Sequence, residues 1–279
     1  MACPIVVTRV LLSLLAIPAA FATDYYVSPS GNDTNSGTSP SSAWKTPANV
    51  NGRAFAAGDR ILFEGGQTFS GGLSFGADDQ GTAAAPITVS TYGSGRAVLN
   101  AAAASGLFAY NTAGLSISNL ILTGSGAQTN TKGGIDFYND LAGNVRLGFI
   151  RIDNVEVSGF RHGIIIGGWN GTSGFNDIRV INSVAHDNQR SGMSTYAQAR
   201  YGITNVYVGH CTFYDNFGDP ALTTTPSGNG VVLGEVDGAL IERTVAYNNG
   251  YLCPANSGGP VGIWVYDADN ATIQHCEAY

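Results

Sequence analysis

The sequence predicts an all-β chain wound as a parallel β-solenoid, and three observations carry that expectation. Glycine is abundant, at 38 of 279 residues, while charged residues make up only 12%; long amphipathic helices need charged faces and avoid glycine. From residue 115 onward similar runs recur: "LSISNLILTG", "IRIDNVEVSG", "IRVINSVAHDN", "VYVGHCTFYDN", "LIERTVAYNN" and "ATIQHCEAY". Each of the first five is followed by a second run that opens on a glycine, as in "GIDFYND" from Gly134, "GIIIGGWN" from Gly163 and "GIWVYDADN" from Gly262. A unit this short cannot bury its own apolar face and must stack on its neighbours.

Taken from the start, residues 1–22 read as an export leader. Arg9 supplies the positive charge, "VLLSLLAIPAA" the apolar stretch, and Ala20-Phe21-Ala22 a small-x-small cleavage pattern. No later stretch approaches the roughly 20 apolar residues of a membrane span, so a secreted or periplasmic protein without a membrane span is expected. Residues 23–100 are less regular. "YYVSPSGNDTNSGTSPSSAWKT" is a strand followed by a long polar loop, and "GDRILFEGGQTFSGGLSF" and "APITVSTYGSGRAVLN" read as early coils. A solenoid needs a cover over its first coil, and this segment is the candidate cap. Residues 101–279 form the regular coils. Tyr279 falls inside a first strand that lacks its partner, so coils are expected to continue beyond it.

The repeat turns sequence columns into ladders at the roughly 4.8 Å spacing of paired strands. Asn119, Asn154, Asn182, His210, Arg243 and His275 share one column and are read as turn residues. The pairs Asp187-Asn188, Asp215-Asn216 and Asn248-Asn249 form another. Cys211 and Cys276 share a column two coils apart, beyond disulfide reach, and read as small core residues.

Together, "YYVSPSGNDTNSGTSPSSAWKT", "GDRILFEGG" and the coils that follow resemble secreted bacterial right-handed parallel β-helix proteins of the pectate-lyase-like superfamily. The resemblance implies a single right-handed β-helix. It also implies one of several roles, because the superfamily holds polysaccharide lyases, glycoside hydrolases, uronate epimerases and adhesin-like proteins.

Charge narrows the partners. With 13 Lys and Arg against 20 Asp and Glu, the net charge is −7, which argues against nucleic acid. Two residues before the glycines stand Lys132, Arg161 and Arg190 on successive coils, a basic ladder suited to an acidic polysaccharide. Five and seven residues after them come Glu235 and Asp267, then Asp237 and Asp269. These should stack in pairs, and four carboxylates so close either raise their pKa values or hold a cation. Ca²⁺, which takes oxygen ligands, is the expected ion.

Asp237 and Asp269 also suit a turn, since "ND" at 176–177 and "TN" at 204–205 fill the same corner; Glu235 and Asp267 have no such explanation. Arg200, one coil earlier, is the candidate base, and Tyr196, Trp264 and Tyr266 are candidate sugar platforms. The expected activity is Ca²⁺-assisted β-elimination of an acidic, uronate-containing glycan by a monomer. The alternatives are a non-catalytic carbohydrate-binding or adhesin-like β-helix, and a hydrolase or uronate epimerase on the same fold. Among the histidines, His186 beside Asp187 could form an acid/base unit, although strand neighbours usually face apart.

Overall fold

The computed structural model describes residues 22–79, 81–254, 256 and 258–279. The expected leader therefore lies outside the described residues except for its last position. Among the described residues no helix is long and apolar enough to cross a membrane.

The chain is a parallel β-helix. Its strands sort into three sheets of nine, eight and seven strands, here the first, second and third in the order each coil visits them. Neighbours within a sheet are successive coils. For example, Ile135, Ile164, Met193, Val231 and Ile263 stand opposite one another on five coils of the third sheet.

Each coil holds three strands where the sequence suggested two. The run "LSISNLILTG" splits into Leu115–Ser118 and Leu120–Gly124, and Asn119 between them has φ +58°. Asn154, Asn182, His210, Arg243 and His275 repeat this left-handed corner, with φ between +49° and +54°. Asn tolerates that region better than most residues. A single left-handed residue turns the chain without interrupting the apolar pattern, which is why the corner is invisible as a break.

The second corner carries a buried amide ladder. Asn188 Nδ2 donates to Asn216 Oδ1 at 3.0 Å, and Asn216 Nδ2 to Asn249 Oδ1 at 2.9 Å. Asn188 and Asn216 are fully buried, and an unpaired amide there would cost about 1–3 kcal/mol. The residues before them, Asp187, Asp215 and Asn248, take left-handed φ values of +52°, +48° and +53°.

Between the sheets runs one continuous apolar core. On the third sheet Ile135 and Phe137, Ile164 and Ile166, and Val231 and Leu233 point inward and are fully buried. The alternate residues of these strands face out. At the opposite end of the chain, strand Asp24–Val27 pairs with Arg60–Glu64. There Tyr25 stacks on Trp44 at 5.2 Å and meets Phe55 edge-on at 5.4 Å, while Ala48–Asn51 forms one short helix.

Candidate functional site

The outer face of the third sheet gathers most of the chemistry. Register aligns two outward rows across its strands. The first runs Phe108, Asp136, Ile165, Ser194, Val232, Trp264. The second runs Tyr110, Tyr138, Gly167, Tyr196, Gly234, Tyr266 by the same pairings. Six of these twelve positions are aromatic. Phe108 stacks on Tyr110 at 6.2 Å, Tyr110 on Tyr138 at 6.1 Å, and Trp264 lies 5.5 Å from Tyr266. Apolar rings beside polar hydroxyls suit sugars, which present C–H faces and O–H edges.

The expected platforms Tyr196, Trp264 and Tyr266 thus share one face. Trp264 and Tyr266 line a hollow of about 510 Å³ together with His162, Arg190, Ser194 and Asn229. Asn229 orients the indole, accepting its N–H at 3.1 Å. Leu222, Thr225 and Pro226 wall the hollow. They belong to residues 217–228, a connection much longer than the one at 159–161.

The basic ladder edges the same face. The Arg161 amide donates to the Lys132 carbonyl at 2.9 Å and that of Arg190 to the Arg161 carbonyl, so the three stack as expected. They are not equivalent. Arg190 is neutralised by Asp219, 2.9 Å away. Arg161 is half-buried, and its side chain makes no hydrogen bond among the described residues. Its own burial and then the Arg190 charge hold its pKa below the usual guanidinium range.

His162 belongs to this face too, a role its sequence context "RHG" did not reveal. Its Nδ1 pairs with Ser191 Oγ at 2.8 Å. Burial first, then Arg190 and Arg161, push its pKa down to about 3, so it stands neutral in the hollow.

The acidic columns lie at the far edge of the face, where the chain passes from the third sheet to the first. Asp237 pairs with Asp269 in register. The Glu235 amide donates to the Tyr266 carbonyl at 3.3 Å, which brings Glu235 beside Asp267. Contrary to the sequence reading, both are corner residues, with φ +55° and +44°. Asp267 is a residue type that tolerates this region, whereas Glu235 is not, so the corner was not legible at Glu235.

The Glu235 side chain is the anomaly. Its Oε2 is buried and has no hydrogen-bond partner. Burial, followed by the Asp267 charge, raises its pKa against an opposing pull from Arg200.

Two of the four carboxylates have other partners. Asn270 Nδ2 donates to Asp237 at 2.7 Å, and the Tyr201 hydroxyl donates to Asp269. Among the described residues no three His, Cys, Asp or Glu side chains are grouped to hold a metal. Of the expected Ca²⁺ ligands Glu235, Asp237, Asp267 and Asp269, two thus have protein partners of their own; Asp237 and Asp269 stand in the column of Asn176 and Thr204, one residue before the left-handed corner residues Asp177, Asn205 and Asn270. Arg200 is drawn to the same side. It lies 4.0 Å from Asp269, is 57% exposed, and covers the Tyr201 ring at 5.1 Å.

A carboxylate that the sequence reading passed over stands in the first outward row. Asp136 is the one acidic residue among neighbours Phe108, Ile165, Ser194, Val232 and Trp264, and that mismatch was the available signal. Burial, only partly countered by Lys132, raises its pKa to about 6.

His186 does meet its neighbour, unlike the expectation for a strand. Its Nδ1 lies 2.6 Å from Asp187 Oδ2, because the left-handed Asp187 folds back at the corner. The ring stacks on Tyr214 at 4.7 Å, and both sit on the second sheet, away from the hollow. Cys211 and Cys276 are free thiols, with Cys211 buried and its pKa pushed up to about 12 by that burial.

Comparison with known proteins agrees with this architecture. The fold is a parallel β-helix, as the sequence led us to expect, and solved structures share it. More particularly, the chain superposes on the GH136 lacto-N-biosidase from Eubacterium ramulus with a TM-score of 0.69 at 16% identity, over 92% of this chain and 56% of that one. A rhamnogalacturonan lyase gives 0.53 at 15% identity, over 92% and 68%. A stretch of 81 residues is 41% identical to the lacto-N-biosidase of Bifidobacterium longum subsp. longum, covering 28% of this chain and 5% of that protein. The chain thus spans about half of the similar solved lacto-N-biosidase and a small part of the Bifidobacterium protein. No family model matches it.

Proposed function

We propose that this chain is a carbohydrate-active β-helix that hydrolyses glycosidic bonds of a glycan laid along the outer face of its third sheet. The observation that carries the reading is the carboxyl pair Glu235–Asp267 at the edge of an aromatic face, with Glu235 Oε2 buried, unpartnered and biased toward its protonated form.

The pair sits one strand spacing apart, about 4.8 Å between backbones; double displacement calls for the carboxyl groups themselves to stand ~5–5.5 Å apart, and the proposed pair meets that separation around a bound sugar. Protonated Glu235 gives its proton to the glycosidic oxygen as the C1–O bond breaks, the bonding electrons staying on that oxygen. The Asp267 carboxylate bonds to C1. Water then displaces Asp267 and yields its proton to Glu235, which restores both groups. Tyr266, between the pair and the hollow, would position the sugar. The stacked Lys132, Arg161 and Arg190 favour a substrate bearing anionic groups, with Arg161 the cation in need of a counter-charge.

The 81-residue match, 41% identical to a lacto-N-biosidase, is the comparison that favours hydrolysis over elimination. The lyase reading needs a base at Arg200 and a cation among the four carboxylates. Arg200 stands mostly exposed, 4.0 Å from Asp269, and two of the four carboxylates, Asp237 and Asp269, already hold protein partners.

The test is release of new reducing ends from a panel of neutral and acidic glycans. Cleavage that is lost in Glu235→Gln, with the melting temperature unchanged, supports the proposal. Binding without cleavage by folded wild-type chain would make it a binding module instead.

A further inference from the structure

Asp136 has no use in the reaction just described. Four strand spacings separate it from Trp264 along the outward row, about 19 Å. It is nevertheless placed like a ligand-binding group. It lies on a face otherwise lined by rings and small side chains, it is largely removed from water, and its carboxyl makes no hydrogen bond among the described residues. A half-buried carboxyl without protein partners keeps hydrogen-bonding capacity that a ligand can satisfy.

Its surroundings have the composition of a sugar site. Tyr138 follows it in the second outward row. The Tyr196 ring lies over Gly167 one coil further, and a Cβ on that glycine would come within 2.1 Å of it. Trp169, 55% exposed, leans beside Tyr196 with ring centres 6.5 Å apart. Glycine at 167 therefore leaves a flat aromatic shelf next to a carboxyl.

We infer that Asp136, Tyr138, Tyr196 and Trp169 form a second sugar subsite, which holds one residue of a chain whose other end occupies the hollow at Trp264. This inference rests on the proposed glycan activity and makes its substrate an oligomer or polymer. The span between the two positions, about 19 Å, corresponds to roughly four sugar rings. Asp136 accepts hydrogen bonds from ring hydroxyls, while Lys132 is the charged group facing it and Tyr138 and Tyr196 are the titratable ones. Hydroxyl donors favour the ionised carboxylate. Because Asp136 is otherwise held toward its protonated form, filling the subsite expels a proton.

The experiment is titration calorimetry with disaccharides and hexasaccharides of galacturonan, rhamnogalacturonan and chitin, near pH 5.5 in buffers of different ionisation enthalpy. The expected result is hexasaccharide binding at least roughly tenfold tighter than disaccharide binding, with proton release only for the hexasaccharide. Asp136→Asn should abolish that release and most of the length preference while disaccharide affinity stays the same. Trp169→Ala, at an exposed ring, should reduce the preference without touching proton release. Equal affinity for both lengths, or an unchanged proton count in Asp136→Asn, would overturn the subsite while leaving the glycan reading intact. No binding of either length would overturn both.

Discussion

The phenol of Tyr196 lies so close over Gly167 that a Cβ there would come within 2.1 Å of the ring, and Tyr266 covers Gly234 in the same way, at 2.0 Å. Tyrosine and glycine therefore alternate across four coils of one outward row. The arrangement lays the rings flat along the sheet, with their faces available as platforms.

Gly167→Ala should disturb the platform more than the fold. The new methyl meets the end of a side chain that can swing aside, so the stability cost should be at the lower end of the ~1–3 kcal/mol typical of overpacking. Glycan affinity should fall several-fold. Thermal melting and glycan titration on the same preparation separate the two effects.

Glu235 and Asp267 should respond unequally to neutralisation. Glu235→Gln removes a charge that burial and Asp267 both oppose, so stability should hold or rise. Turnover should drop by about 10²–10⁴-fold, the usual contribution of a proton-transferring group. Asp267→Asn should also abolish turnover, and by removing a like charge it should lower the apparent acid pKa of Glu235, a shift visible in carboxyl-detected NMR titration.

Asp136 gives the fold a pH signature. Its pKa is about 6 in the folded chain against an ordinary aspartate value of 3.8, so between those pH values the folded state binds the extra proton. Its contribution to stability is greatest below the lower value and is lost as pH rises through the upper one, by about 3 kcal/mol in all. In Asp136→Asn that part of the slope should vanish, and the variant should be more stable than wild type above pH 6. Denaturant unfolding of both proteins across this range checks it.

The buried amide ladder should matter more than any surface pair. Asn216 both donates to Asn249 and accepts from Asn188, so Asn216→Ala orphans groups on two coils. A loss of about 2–4 kcal/mol is expected, from one broken hydrogen-bond pair plus buried polar atoms left unpaired. Equilibrium unfolding measures it directly.

Much of the fold was legible because a solenoid writes its geometry as columns. The glycines that open the third-sheet strands and the Asn119–Asn154–Asn182 column sit where the repeat places them. The third strand of each coil was not legible, since one left-handed residue turns the chain without breaking the apolar pattern. Tyr196, Trp264 and Tyr266 were legible as aromatics beside Arg200 and the Asp267–Asp269 run. Asp136 and His162 were not, because the offsets chosen from each glycine favoured columns of like charge, and these two stand alone in theirs. The surroundings of the four carboxylates were not legible for a different reason. Register brings backbones together, but the partners that each carboxylate finds, Asn270 for Asp237 and Tyr201 for Asp269, depend on side-chain directions that no column records.

The central claim is that water, rather than elimination, completes the cleavage. The decisive measurement is digestion of a cleaved glycan in heavy-oxygen water, with mass spectrometry of the products. Hydrolysis through Glu235 and Asp267 places one heavy oxygen at each new reducing end, and Glu235→Gln yields no product. Fragments that lack the added water and carry an unsaturated uronate at the non-reducing end would contradict the account and return the site to a lyase.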